Sequence, residues 1–299
     1  MSVSTIDLSK LPPPAFVEAL SFESILAEMA ADYVERNPED LGIVESDPAY
    51  KVLEVAAYRE LLLRQRINEE GKALLIAFAV GPDLDHIGIT YYDGEERLVV
   101  TPADPNALPP VDLVMEDDES YRRRLLLKDD SYSTAGSENA YKFHALSADG
   151  QVKDVSVTSP KPGTTVIYVI GRSGDGTPTT ATLDKVRARL NTADVRPLSE
   201  EVLVQAGEII RWTLDADIYT YGGPDQRIVL QAAIERFDEY KAQHQLLGHD
   251  VTDSALSAAL HVPGVFKVVR RSPITEIVCA DNQASWCEAT NIRIAGTGQ

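Results

Sequence analysis

The chain predicts an α+β fold: a helical N-terminal region with a long bundle-forming helix, followed by mixed α/β modules with small sheets. Three observations carry this expectation. Apolar residues recur at helical spacing through about the first eighty positions, and from Val152 onward the period shifts toward two. Between these regimes residues 101–111, TPADPNALPPV, hold four prolines and read as a surface loop or linker.

The elements follow in order. Three successive prolines make residues 10–14 an extended, polyproline-like lead-in. A first helix is expected over 15–36, with Phe16, Leu20, Ile25, Met29 and Tyr33 on one side, ended by Asn37-Pro38. A long helix is expected over 47–81. Ser46 or Asp47 caps it, Pro48 suits a first turn that needs no N–H, and Gly81-Pro82 stops it. Val52, Ala56, Leu63, Ile67, Leu74 and Phe78 repeat in steps of four and seven, close to the natural helical pitch, so their stripe stays on one face. Glu54, Gln65, Asn68, Glu69 and Lys72 make a polar side, and Tyr58, Leu61 and Leu62 a second apolar patch. Such a helix would reach roughly 50 Å, long for one small domain, so part of its apolar surface awaits another chain. The expected partner-helix interface is Val52, Ala56, Tyr58, Leu62, Leu63, Ile67, Leu74 and Phe78. The plain alternative is a core helix of this chain alone, and Gly71 is the place where it would split in two.

Further helices are expected over 117–127 and 137–146, the second capped by Ser137 after the turn Thr134-Ala135-Gly136. Val152, Val155 and Val157 begin a strand that turns at Pro162-Gly163 into a paired strand over 164–170. Residues 171–180 form a polar loop, 182–190 a helix, 201–205 and 209–221 strands, 224–247 and 254–260 helices, and 265–269 a strand. The tail, 274–294, carries two weak strand signals around Cys279 and Ile292. The expected domains are a helical region over 1–100, a proline-rich linker over 101–115, α/β modules over 116–273 and a C-terminal tail over 274–299. One echo suggests a two-fold repeat in the modules, its second unit near 206–273. Ala145-Leu146 runs through Gly150 into VKDVSVTSP, and Ala259-Leu260 runs through Gly264 into VFKVVRRSP.

Composition excludes several classes. A net charge of −19 opposes binding to nucleic acid or anionic membranes. No apolar run approaches the 18 or so residues of a membrane span, and the start lacks the basic and apolar regions of a signal peptide. The two cysteines, Cys279 and Cys287, fit a reducing compartment better than a disulfide framework.

Chemistry-bearing patterns are sparse. GRSGDG at 171–176 lacks the Lys-Ser/Thr of a phosphate loop and reads as a flexible hairpin tip. The run Glu116-Asp117-Asp118-Glu119 has oxygen ligands for a divalent cation, yet it precedes a helix, where acids complement the dipole. Asp83 and Asp85 suit a turn. His86, His144 and His261 sit beside apolar residues, and His244 and His249 lack helical zinc spacing. Ser133 and Ser137 do not form a nucleophile elbow. No catalytic residue, metal ligand or cofactor is assigned. The alternative is a soluble metal- or carboxylate-dependent hydrolase, requiring these acids to converge in one cleft.

An ordered set of segments resembles the baseplate J-like family, the wedge proteins of contractile phage tails and related bacteriocin particles. It comprises EVAAYRELLLRQRINEEGKALLIAFAVGPDLDHIG in the long helix, DDESYRRRLLL at 117–127 and STAGSENAYKFHALS at 133–147. VKDVSVTSPKPGTTVIYVI at 152–170, Val195-Arg196-Pro197-Leu198 and LGHDVTDSALSAALHVPGVFKVV at 247–269 complete it. The resemblance implies a structural, non-enzymatic subunit of a phage tail or tail-like particle, assembled in the host bacterial cytoplasm. Two copies pair, their N-terminal helices bundle with another wedge protein, and the ring so formed surrounds the tail hub. Hub and sheath-initiating proteins are further implied partners, and the links at 101–111 and 171–180 would absorb angular change during contraction. A transient tail assembly factor is the remaining alternative.

Overall fold

The structure, a computed structural model, describes Pro12, Pro14 and residues 16–37, 43–134, 136–223 and 225–298. It divides between Glu96 and Arg97 into two compact units. The expected polyproline lead-in and Pro38 lie outside the described residues, save for Pro12 and Pro14.

The first unit is helical. Helix α1 spans Phe22–Arg36, and Ser21 caps it by accepting the Ser24 N–H at 3.3 Å. It therefore begins seven residues later than the pattern suggested. Residues 16–20 lie instead along helix α2, Pro48–Ala73. There the Asn68 side chain accepts from the Glu18 N–H (3.1 Å) and donates to the Glu18 carbonyl (3.0 Å). The ring of Phe16 rests on Gly71, where a Cβ would stand 2.3 Å from Phe16 Cε2. Gly71 thus does not split the helix; it seats an aromatic ring.

Helix α2 is shorter than expected. It ends at Ala73, so its 26 residues reach about 40 Å. Leu74, Phe78 and their neighbours keep an apolar rhythm beyond it, but they form turns leading to helix α3, Gly81–Tyr91. Gly81-Pro82 therefore starts a helix instead of stopping one: Pro82 occupies the first turn, and Gly81 adopts φ +53° to redirect the chain. The core of α1 and α2 joins Phe22, Ile25, Leu26 and Met29 to Tyr50, Leu53, Ala57 and Leu61.

The second unit opens with a small antiparallel pair, β1 (Val99–Thr101) and β2 (Val114–Met115). The proline-rich stretch connects them and is itself closed by reciprocal bonds between Asp104 and Val111. Helix α4 (Asp118–Leu126) is capped by Asp117, and α5 (Glu138–Ala148) by Ser137. Strands β3 (Val152–Lys161) and β4 (Thr164–Gly171) form the expected hairpin across Pro162-Gly163. Helix α6 (Thr180–Leu190) then carries the chain to β5 (Glu201–Ala206), which pairs parallel with β4. Nearly every residue of β4 is buried, as suits a central strand. Phe143 and Leu146 of α5 and Val186 and Leu190 of α6 pack against Val155, Ile167 and Val169.

A second sheet is centred on β6 (Glu208–Tyr221). Helices α7 (Gln226–His244) and α8 (Asp253–Leu260) cover it through Phe237, Leu256 and Leu260 against Trp212 and Leu214. Strand β7 (Val265–Ser272) lies antiparallel on one edge. The other edge corrects the reading of the tail. One 16-residue strand, β8 (Gln283–Gly298), pairs parallel with β6 along its whole length, and Cys279 lies in no strand. A sheet ending at residue 273 would lack its longest pairing. The echoed segments hold comparable places, since β3 and β7 each follow a helix and lie antiparallel to a central strand. Their chain order differs: β3 precedes its central strand, whereas β7 follows its own.

Gly207 joins the two sheets. Its N–H donates to the Val169 carbonyl on β4, while the next N–H, of Glu208, donates to the Asn282 carbonyl just before β8. A Cβ at Gly207 would lie 2.9 Å from methyl groups of both Ile170 and Leu247. Gly207→Ala is therefore expected to cost about 1–3 kcal/mol through overpacking, read as a lowered urea midpoint. An unchanged midpoint would mean that both methyls yield freely.

Candidate assembly interface

A helix that contributes to one core keeps one apolar face, yet α2 has three. Viewed at 100° per residue, Tyr50, Leu53, Ala57, Leu61 and Asn68 share a sector about 80° wide, and this sector meets α1 and the segment before it. A second sector, about 60° wide, holds Val52, Ala56, Leu63 and Ile67. All four are exposed, Val52 by 68%, Leu63 by 62% and Ile67 by 64%. Leu74, at the C-cap, continues that line and is 78% exposed. A third sector carries Val55, Tyr58 and Leu62, also exposed. The three sectors stand about 120° apart.

Of the residues expected to form the interface, seven thus lie exposed on two faces of α2 or at its C-cap. Phe78 does not join them; it is half-buried in the turns after the helix. Val55 belongs with Tyr58 and Leu62 but falls outside the eleven-residue rhythm. Leu61 moves from the second patch to the α1 core. Between the exposed faces run Arg59, Arg66 and Glu70, with an Arg66–Glu70 ion pair at 2.6 Å. Arg64 likewise pairs with Glu60 and Glu18 beside α1. Such exposed pairs contribute little to stability, about 0–1 kcal/mol, and leave the apolar rows as the main unsatisfied surface.

The groups considered for chemistry are occupied elsewhere. Glu116 is buried against Arg124, Asp117 caps α4 and pairs with Arg172, Asp118 pairs with Arg97, and Glu119 pairs with Arg122. Asp83 lies in the first turn of α3. His144 is buried between the Ser131 carbonyl and Arg189, and burial, with the Arg189 charge, holds its pKa below the ordinary value. Both cysteines are free thiols. No three His, Cys, Asp or Glu residues gather as a metal-binding group among the described residues. The GRSGDG loop is neither a hairpin nor loose. It links β4 to α6, Asp175 accepts from Arg211, and Gln245 Nε2 donates to the Asp175 carbonyl at 3.0 Å.

Comparison with known proteins adds the context of this surface. Residues 45–104 match the family model of the baseplate J-like N-terminal domain, and residues 133–206 that of the baseplate J-like central domain. Baseplate protein J of Escherichia phage P2 is 42% identical over 301 residues, covering 98% of this chain and 99% of that protein. The fold also aligns with a chain in the cryo-EM structure of the anti-feeding prophage baseplate, 6-fold symmetrised, with a TM-score of 0.41 and 13% identity. That alignment covers 68% of this chain and 50% of the other.

Proposed function

The chain belongs to the baseplate J-like family, and from that premise we propose that it is a structural wedge component of a phage-tail baseplate, working by assembly and not by catalysis. The observation that carries this reading is its 42% identity, nearly end to end, to a phage baseplate protein. The two open faces of α2 supply the means. One face would suit a second copy of this chain and the other a helix of another wedge protein, with α1 filling the third side. Such a bundle buries apolar rows that a lone subunit leaves in water, at about 25 cal/mol per Å² of apolar area removed. The acidic run a hydrolase could use is engaged within the fold: Asp117 caps α4, and Glu116, Asp118 and Glu119 pair with arginines, which supports a non-enzymatic role.

The residence proposed is the tail itself, with assembly in the host bacterial cytoplasm. Contacts with hub and sheath-initiating proteins would draw on the acidic surface of a chain with net charge −19. A rigid α2 suits transmission of displacement when the sheath is triggered. The pinned loop at 171–176 does not suit the part of flexible link, which leaves that part to the connection at 101–111.

Co-expression with the products of adjacent genes, followed by sizing with mass detection, tests the proposal. A discrete hetero-complex containing two copies of this chain is the expected result. A stable monomer that ignores those proteins would overturn it.

A further inference from the structure

The two open rows of α2 differ in what borders them. Phe16 lies on Gly71 and Glu18 on Asn68, while Phe22, Ile25, Leu26 and Met29 meet the turns from Tyr50 to Leu61. Helix α1 therefore runs antiparallel along α2. On α1, Glu28, Asp32 and Glu35 recur at steps of four and three, so they share one flank. All three are exposed, and none has an ion pair among the described residues. Arg64 fixes which side that flank takes. Its pKa stands above the ordinary value through its hydrogen bond to Glu60, and the charges of Glu18 and Glu28 add to this. At 100° per residue, Glu60 and Arg64 stand about 60° and 100° from Leu63, between the α1 core and the row of Val52, Ala56, Leu63 and Ile67. The acidic flank of α1 thus borders the Leu63 row and not the row of Val55, Tyr58 and Leu62.

A helix laid on the Leu63 row would sit in the groove between α2 and α1, as in a three-helix bundle. Its apolar stripe would meet Ala56, Leu63 and Ile67, and one of its edges would pass over Glu28, Asp32 and Glu35. The one base of α1, Arg36, lies in its last turn, beyond these acids. A second copy of this chain suits that groove poorly. From its own Leu63 row it offers Arg59 and Arg66, the latter already engaged by Glu70, and it brings a second acidic flank. Like charges set opposite one another disfavour association and screen out wrong partners.

We propose that the Leu63 row receives a helix of another protein, its apolar stripe edged with lysine or arginine on the side over α1. This rests on the bundle reading and assigns the row to a partner other than a second copy.

The probes are two labelled, stapled helical peptides with the same leucine stripe, edged with lysine in one and with glutamate in the other. Fluorescence anisotropy is followed as the full-length chain is added. The lysine peptide is expected to bind about tenfold or more tightly than the glutamate peptide, because three exposed pairs change from attraction to repulsion. The preference should shrink between about 50 and 500 mM salt. Glu28→Gln, Asp32→Asn and Glu35→Gln together should reduce it to about twofold. Glu45→Gln, Glu69→Gln and Glu288→Gln, an equal change of net charge elsewhere, should leave it nearly whole. Leu63→Asp should remove binding, and Leu62→Asp, on the other row, should keep it. Equal binding of both peptides, lost in Leu63→Asp, would overturn the basic edge and leave the bundle face standing. Binding that survives Leu63→Asp, or no binding of either peptide, would remove the face itself. A dimer of the unaltered chain that Leu63→Asp dissolves would seat a second copy there and overturn the assignment.

Discussion

Leu63→Asp is expected to leave the chain folded and to abolish its co-purification with a wedge partner. Leu63 is 62% exposed, so replacing it removes little buried area from the subunit and places the new carboxylate in water. Circular dichroism should be unchanged and the unfolding free energy should stay within about 0.5 kcal/mol of the parent, as for other surface substitutions. In the proposed bundle the same position would become core. The assembly would lose about 1.5–3 kcal/mol of leucine burial and would also have to desolvate a charge, which together weaken association by more than about 100-fold. Leu61→Asp, two residues away, should behave in the opposite order. It faces the α1 core and would unfold the first unit before any partner is met. Normal co-purification of Leu63→Asp would dismiss the bundle face, and equal damage from both variants would show that the two rows are not distinct.

That contrast also marks where the sequence stops being legible. Local signals were read well: Ser137 as a cap, the acidic run at 116–119 as the start of a helix, Pro162-Gly163 as a hairpin turn, and the apolar rhythm of α2. Each depends on residues a few positions apart. The end of α2 was not visible, because Leu74, Ile76 and Phe78 stay apolar after the helix has stopped. Its division into an internal face and two open ones was hidden for a related reason. Apolar residues occur on three sides, and periodicity does not say which side α1 takes. Strand β8 showed only as a weak signal around Ile292, because QASWCEATNIRIAGTG is largely small or polar; its full extended length comes from pairing with β6, a partner some seventy residues earlier.

The same limit applies to Arg124, which sits in the charged run YRRRLLL yet is 1% exposed in the folded unit. Its guanidinium donates to Glu116 at 2.8 Å, and the Glu116 side chain is 4% exposed. Arg124→Met should be the most damaging single change in the second unit, because it strands a buried carboxylate. Breaking such a pair costs about 3–5 kcal/mol, and at about 2–4 °C per kcal/mol for a domain of this size the midpoint should fall by about 6–20 °C. The sign then turns on what replaces the partner. Arg124→Met with Glu116→Leu removes both charges and fills the space, so most of the loss should return. Recovery should stop short of complete, since the Leu98 N–H, which donates to Glu116 Oε2, would lose its acceptor at a cost of about 1 kcal/mol or more. Glu119→Ala is the control: it breaks the Arg122 pair, but Glu119 is 85% exposed and the change should be nearly silent. A midpoint for Arg124→Met that moves no further than this control would mean water reaches Glu116, and the pair would then count as surface.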